Sequence, residues 1–66
     1  MDIHNETTAN EKRILESVEN FITEEMIAEL WISMIEVDDV ETYQVEIISV
    51  EGFTFRDFVT KDYKVL

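Results

Sequence analysis

The stretch EEMIAELWISMIEV, from Glu24 to Val37, is the most apolar part of the sequence, and it decides the predicted fold. At about 100° per residue, most of its apolar side chains share one broad helical face, and Ile32 points away from the centre of that face. A helix that is apolar around so much of its circumference is normally buried on several sides. We therefore expect a central helix, with the rest of the chain or a second copy packed around it.

A shorter amphipathic helix is predicted before this one, from about Ala9 to Phe21. Thr8, followed three residues later by Glu11, fits a capping box at its start. If the two helices were continuous, the apolar stripe would turn by about half a revolution beyond Ile22. Thr23 is suited to cap a new helix, so we predict a break there and a helical hairpin. The alternative is one long kinked helix used in a dimer.

The second half of the chain predicts a β-hairpin, because ETYQVEIISV and FTFRDFVT alternate around a turn at Gly52. A three-residue loop with a left-handed Gly52 places Glu46 opposite Arg56, whereas a two-residue loop places Glu46 opposite Asp57. The register with Glu46 opposite Arg56 is favoured. Lys61–Leu66 alternates weakly and could add a third short strand. That register gathers one set of apolar side chains on the face expected to lie on the helices, namely Tyr43, Val45, Ile47, Phe53, Phe55 and Val59.

The predicted fold is therefore α+β, with two N-terminal helices, forming a helical hairpin, packed on a C-terminal antiparallel β-hairpin. Residues 1–66 form one small domain, in which polar residues 1–7 are expected to be a mobile tail. The chain has no cysteine, which suits the cytoplasm. No apolar run approaches the roughly 18 residues of a membrane span, and MDIHNETTAN lacks signal-peptide features. We expect a soluble, cytoplasmic protein.

Charge is the most unusual property of this chain, because its formal net charge is -11 and no Lys or Arg occurs from Ile14 to Phe55. Nucleic acid and anionic membranes bind clusters of Lys and Arg, so neither is an expected partner. The expected partner is a basic protein, including one that itself binds nucleic acid. The predicted partner-binding residues are Glu25, Glu29, Glu36, Asp38, Asp39, Glu41 and Glu46.

Three of these carboxylates occupy a place that helix electrostatics disfavours. Glu36, Asp38 and Asp39 lie at or just beyond the C-terminus of the predicted second helix, where the dipole favours cations. A local rule broken without local gain often marks a functional position. The pattern therefore indicates a continuous negative face, and the simpler alternative is the solvated acidic surface of an ordinary small protein.

Catalytic and metal-binding motifs are missing from the sequence. His4 is the only histidine, so one chain cannot form a histidine triad or a two-histidine metal site. The acidic residues near Asp38 lack the spacing of a calcium loop. We predict no catalytic residues, no metal and no cofactor, and we expect that the protein is not an enzyme.

The leading functional prediction is a small inhibitor or regulator that binds a basic protein, with a DNA mimic as one form of it. Shortness and acidity are shared by small regulators of phages and mobile elements, which is a similarity of composition only. The alternative is a structural or assembly domain that acts through an apolar interface or a homodimer at Trp31 and Ile32. Trp31 at helical spacing is otherwise a core residue, whose replacement by Ala would cost about 3 to 5 kcal/mol.

Overall fold

One helix covers one face of a four-stranded mixed sheet in the computed structural model, which describes residues 1–66. The elements in chain order are β1 Asp2–Asn5, α1 Glu11–Val18, a 3-10 helix Glu24–Met26, β2 Ile27–Val37, β3 Val40–Ser49 and β4 Thr54–Val59. The strand order is β1-β2-β3-β4, with β1 parallel to β2 and the other neighbours antiparallel. Because parallel neighbours need a crossover, the link between β1 and β2 carries the helix.

The prediction of two N-terminal helices is wrong, because the apolar stretch forms a strand. Only residues 24–26 are helical, and β2 pairs with β3 along its whole length, from Ile27 opposite Ser49 to Val37 opposite Val40. This ladder satisfies the backbone groups on one edge of β2, and β1 pairs with the other edge from Glu29 to Ile32. The stretch is rich in β-branched and aromatic side chains, which favour a pleated strand. Both the helical hairpin and the kinked helix are therefore replaced by a βαβ unit that continues into two hairpins.

The N-terminal residues belong to the sheet and are not a tail, since Asp2–Asn5 forms β1 along one edge of β2. The following helix is shorter than the predicted span 9–21. It begins after Asn10, whose side-chain oxygen accepts a hydrogen bond of 3.1 Å from the backbone N–H of Arg13. The helix start is therefore capped by Asn10 and not by the predicted box that begins at Thr8.

The predicted hairpin of β3 and β4 is confirmed, including its register, with Glu46 opposite Arg56. Gly52 has a φ of 90°, in the region that favours glycine. The backbone N–H of Ser49 donates to the carbonyl of Phe53 at 2.8 Å, and the N–H of Phe53 donates to Ser49 Oγ at 3.0 Å. These bonds close a three-residue loop, as the sequence predicts.

The C-terminal residues turn back along β4 without forming the third strand offered by the sequence. The backbone N–H of Thr60 donates to the carbonyl of Lys64 at 2.8 Å, and Val65 forms an isolated bridge with Val59. The N–H of Leu66 donates to the carbonyl of Phe58 at 2.8 Å. This segment therefore protects part of the β4 edge.

The core lies between α1 and the facing side of the sheet, which is called the inner face below. Its members are Ala9, Ile14, Val18, Ile27, Leu30, Ile32, Tyr43, Val45, Ile47 and Val59. At about 1.5 Å per residue an eight-residue helix is about 12 Å long, whereas an eleven-residue strand spans about 33 Å at 3.3 Å per residue. The helix therefore covers only part of the inner face. Neither helical segment has the length and apolar character needed to cross a bilayer.

Candidate functional site

The seven predicted carboxylates lie in three separate places. Glu36, Asp38, Asp39 and Glu41 surround the turn between β2 and β3, and this group is called the acidic end. Glu29 and Glu46 lie on the outer face of the sheet, opposite α1. Glu25 belongs to the 3-10 helix at the other end of β2. Because β2 lies between Glu25 and the acidic end and runs along most of the longest dimension of the molecule, which is 34 Å, these side chains do not form one continuous surface.

The acidic end is built on a two-residue hairpin turn. Asp38 and Asp39 have φ values of 51° and 64°, the pair of positive angles that a type I′ turn requires. Aspartate is one of the few residues with a side chain that tolerates this conformation. No helix ends here, so these acids do not oppose a helix dipole, and that prediction is wrong. Their position is explained locally by the turn.

Charge at the acidic end is nevertheless concentrated. Glu36 and Glu41 are directly paired residues on β2 and β3, so two like charges share one side of the ladder. Lys61 Nζ lies 3.7 Å from Glu41 Oε1, and it is the only ion pair at this end. All four carboxylates of the acidic end belong to exposed residues. Net negative charge therefore faces solvent around this turn.

The two carboxylates on the outer face have neighbouring donors. Trp31 Nε1 donates to Glu29 Oε1 at 3.2 Å. Glu46 Oε1 accepts from Gln44 Nε2 at 3.1 Å and lies 3.8 Å from Arg56 Nη2. The donors of Trp31 and Gln44 are neutral, so only Arg56 offsets a charge here. These two carboxylates with one cation carry less net negative charge than the four carboxylates and one Lys of the acidic end.

Trp31 and Ile32, the predicted apolar interface, point to opposite faces of β2. Ile32 is 1% exposed in the core, so the prediction that it points away from the packed side is wrong. Trp31 is 41% exposed on the outer face, where its ring stacks on His4 with the centroids 3.8 Å apart. Because successive side chains of a strand point to opposite faces, Ile32 enters the core and Trp31 faces outward, whereas the predicted helix had Ile32 pointing away from the packed face. Only Trp31 is available to a partner.

A groove that sequence reasoning missed lies at the end of the inner face that α1 leaves uncovered. We call it the phenylalanine groove, and it encloses about 410 Å³ between the residues that follow α1 and the loop of the β3–β4 hairpin. Its apolar lining consists of Phe21, Ile22, Met26, Phe53 and Phe55. The sequence assigned Phe53 and Phe55 to the correct face, but the helix predicted to cover them does not exist.

The only histidine and the acidic side chains do not group into a metal site. His4 is held against Trp31, with its Nε2 atom 4.0 Å from Glu29 Oε1. No three His, Asp or Glu side chains are grouped in a way that suits a metal ion. The chemical features that remain are exposed carboxylates and the apolar groove, both of which suit recognition of another molecule.

Comparison with known proteins found no matching family, no similar curated protein and no similar solved structure.

Proposed function

We propose that this protein is a small acidic, non-enzymatic regulator that binds a basic partner protein. The observation that carries the proposal is the excess of uncompensated carboxylates on the surface. Of the 16 Asp and Glu side chains, only Glu41 and Glu46 lie within ion-pair distance of a Lys or Arg nitrogen. Such a surface attracts cationic partners over long range and accelerates their association.

The acidic end is the proposed contact for the basic surface of the partner. Its four exposed carboxylates belong to one short hairpin, and Lys61 is the one cation paired with them. Direct binding to nucleic acid or anionic membranes is not proposed, because both carry the same sign of charge. We place this function in the cytoplasm, which suits a chain without cysteine.

Capture of the partner from a host extract tests the proposal. The immobilised protein is washed at low and high salt and challenged with duplex DNA. A basic protein that is released by salt is the expected result. Release by DNA would indicate that the carboxylates occupy a nucleic-acid site, as in a DNA mimic. A captured partner that resists salt, with no excess of basic residues, would contradict the proposal.

A matched pair of variants locates the contact. The first variant, E36Q/D38N/D39N/E41Q, neutralises the acidic end. It introduces Asn, which tolerates positive φ, at positions 38 and 39. The control, D2N/E6Q/E16Q/D62N, removes the same number of charges from exposed residues elsewhere. We expect slower association of the captured partner with the first variant, because steering depends on local charge. Equal association rates for the two variants would reject the acidic end as the contact.

A second candidate function is assembly through the outer face of the sheet, as a homodimer or a structural domain. The observation that favours it is Trp31, which lies 41% exposed on a face that no helix covers. Interface cores are enriched in such aromatic residues. Sedimentation of the wild type and Trp31→Ala over a range of concentrations tests it. A strict monomer at high concentration would exclude the homodimer.

A further inference from the structure

The phenylalanine groove exposes three phenylalanine side chains and a methionine to solvent. Phe21 is 64% exposed, Phe53 is 61% exposed and Phe55 is 44% exposed, and Met26 beside them is 38% exposed. Contiguous apolar patches of this kind commonly mark interaction sites. Phenylalanine and methionine are also among the side chains enriched in the cores of interfaces.

The charges around the groove determine which class of partner suits it. Glu19 and Glu51 belong to its lining, whereas none of the five Lys and Arg residues does. Glu24 and Glu25 lie in the 3-10 helix next to it. A second copy of the chain would bring two such acidic rims together, which like-charge repulsion opposes. The complementary occupant has apolar side chains flanked by Lys or Arg.

The backbone around the groove favours a helical occupant over an extended one. An added strand is held mainly by hydrogen bonds to free backbone groups at a sheet edge. Around the groove, six backbone N–H groups already donate within the chain. They belong to Phe21, Ile22, Met26, Val50, Gly52 and Phe53. The unpaired edge of β4, at Thr54 and Arg56, is not part of the groove lining. An amphipathic helix satisfies its own backbone and needs only a surface for its apolar face.

We propose that the phenylalanine groove binds an amphipathic helix of a basic partner, with apolar side chains inserted between the phenylalanines and Lys or Arg facing Glu19 and Glu51. The sign of the charge on the partner rests on the proposed function above. The groove volume of about 410 Å³ suits a few apolar side chains from successive turns of such a helix. This contact lies at the opposite end of the sheet from the acidic end, so each is tested separately.

Three synthetic peptides test the proposal by calorimetric titration of the full chain. The first is an amphipathic helix of Leu and Lys with Leu at helical spacing. The second is its scrambled sequence, which has the same composition and no apolar stripe. The third replaces every Lys by Gln and keeps the stripe. We expect the first peptide to bind at least about tenfold more tightly than either of the others, because it alone has both complementary features.

Variants then assign the contact to the groove. We expect F21A/F53A to weaken binding of the first peptide at least about tenfold, since truncation of buried aromatic anchors commonly has effects of this size. E19Q/E51Q should weaken binding less and reduce its dependence on salt. The control is Val40→Ala, which truncates an apolar residue that is 63% exposed at the other end of the sheet. It should bind like the wild type, and urea unfolding verifies that every variant is folded.

The outcomes separate this proposal from the proposed function. If the scrambled peptide binds as tightly as the amphipathic one, and F21A/F53A binds like the wild type, the groove proposal is rejected while recognition of a basic partner stands. If the uncharged peptide binds as tightly as the basic one and requires both phenylalanines, the groove is an apolar site without charge selection. The basic character of its occupant is then rejected, while the contact at the acidic end is judged by its own variants. Phe53→Ala alone provides a second test if the double variant unfolds.

Discussion

The inner face of the sheet has a covered centre and an open end, although both are lined by apolar side chains. Under α1, Leu30 and Val45 are fully buried. At the open end Phe53 and Phe55, from the same face, are 61% and 44% exposed. The difference arises from the length of the covering element, because an eight-residue helix cannot reach both ends of the sheet. Apolar character on one face of a strand therefore does not by itself distinguish core from interface.

The largest expected effect contrasts truncation at the centre with truncation at the open end. Leu30→Ala removes a fully buried side chain and should lower the free energy of unfolding by about 2 to 5 kcal/mol. Phe53→Ala removes a ring that is 61% exposed, so it should lower the free energy of unfolding by about 1 kcal/mol or less. Urea unfolding of both variants measures the difference. Equal losses would mean that the open end is packed as tightly as the centre.

The hairpin loop beside the open end should depend on its backbone conformation. Gly52 has a φ of 90°, and an added Cβ would meet no atom within 4 Å. Gly52→Ala should therefore destabilise by about 1 to 2 kcal/mol for conformational reasons alone. At the acidic end, Asp39 has a φ of 64°, so Asp39→Gly should stabilise by up to about 1 kcal/mol. Thermal unfolding of both variants checks the opposite signs.

Alkaline pH should weaken the covered centre through Tyr43. Burial raises the pKa of the Tyr43 hydroxyl above its ordinary value of 10.0, and the neighbouring Tyr63 adds to the rise. The neutral phenol is favoured in the fold, so its contribution is complete below pH 10 and is lost as pH rises from there through the folded pKa. Urea unfolding between pH 9 and about 11.5 measures this decline. Tyr43→Phe should decline less, and an identical decline would exclude Tyr43 as the cause.

The smallest expected effect concerns charge at the acidic end. Glu36→Lys replaces a like-charge pair with Glu41 by an opposite-charge pair, and should stabilise by about 0.2 to 1 kcal/mol. Glu25→Lys changes the net charge equally at an exposed residue in the 3-10 helix, outside the strand ladders. We expect Glu25→Lys to give a smaller gain in stability, because it relieves only the repulsion among the negative charges of the whole chain. An equal gain for the two variants would mean that cross-strand repulsion is negligible.

The hairpin of β3 and β4 was predictable because two independent signals agree on its register. A single glycine marks the loop, and the pairing of Glu46 with Arg56 selects the loop length. The strand β2 was not predictable in the same way, because apolar residues on both of its faces also satisfy a helical period. The acids that follow it were a usable signal against a helix, since Asp38 and Asp39 form a hairpin turn.

The chemical character of the candidate site was predictable from the sequence, but the positions of its residues in the structure were not. The excess of negative charge is evident from composition, whereas its division among the acidic end, the outer face and Glu25 depends on the strand ladder. Phe53 and Phe55 were assigned to the inner face by alternation. Their exposure depends on where α1 ends. The alternation of apolar residues in β4 does not indicate how much of the sheet the helix covers.

The amino-acid sequence by itself determined the net charge, the amphipathic helix and the β3–β4 register, because each depends on residues close together in the chain. Tertiary structure decided that residues 27–37 are a strand, since that choice depends on pairing with β3 and on the parallel alignment of β1. It also decided which apolar residues stay in water. Burial requires a partner surface from a distant part of the chain, and no local pattern contains that information.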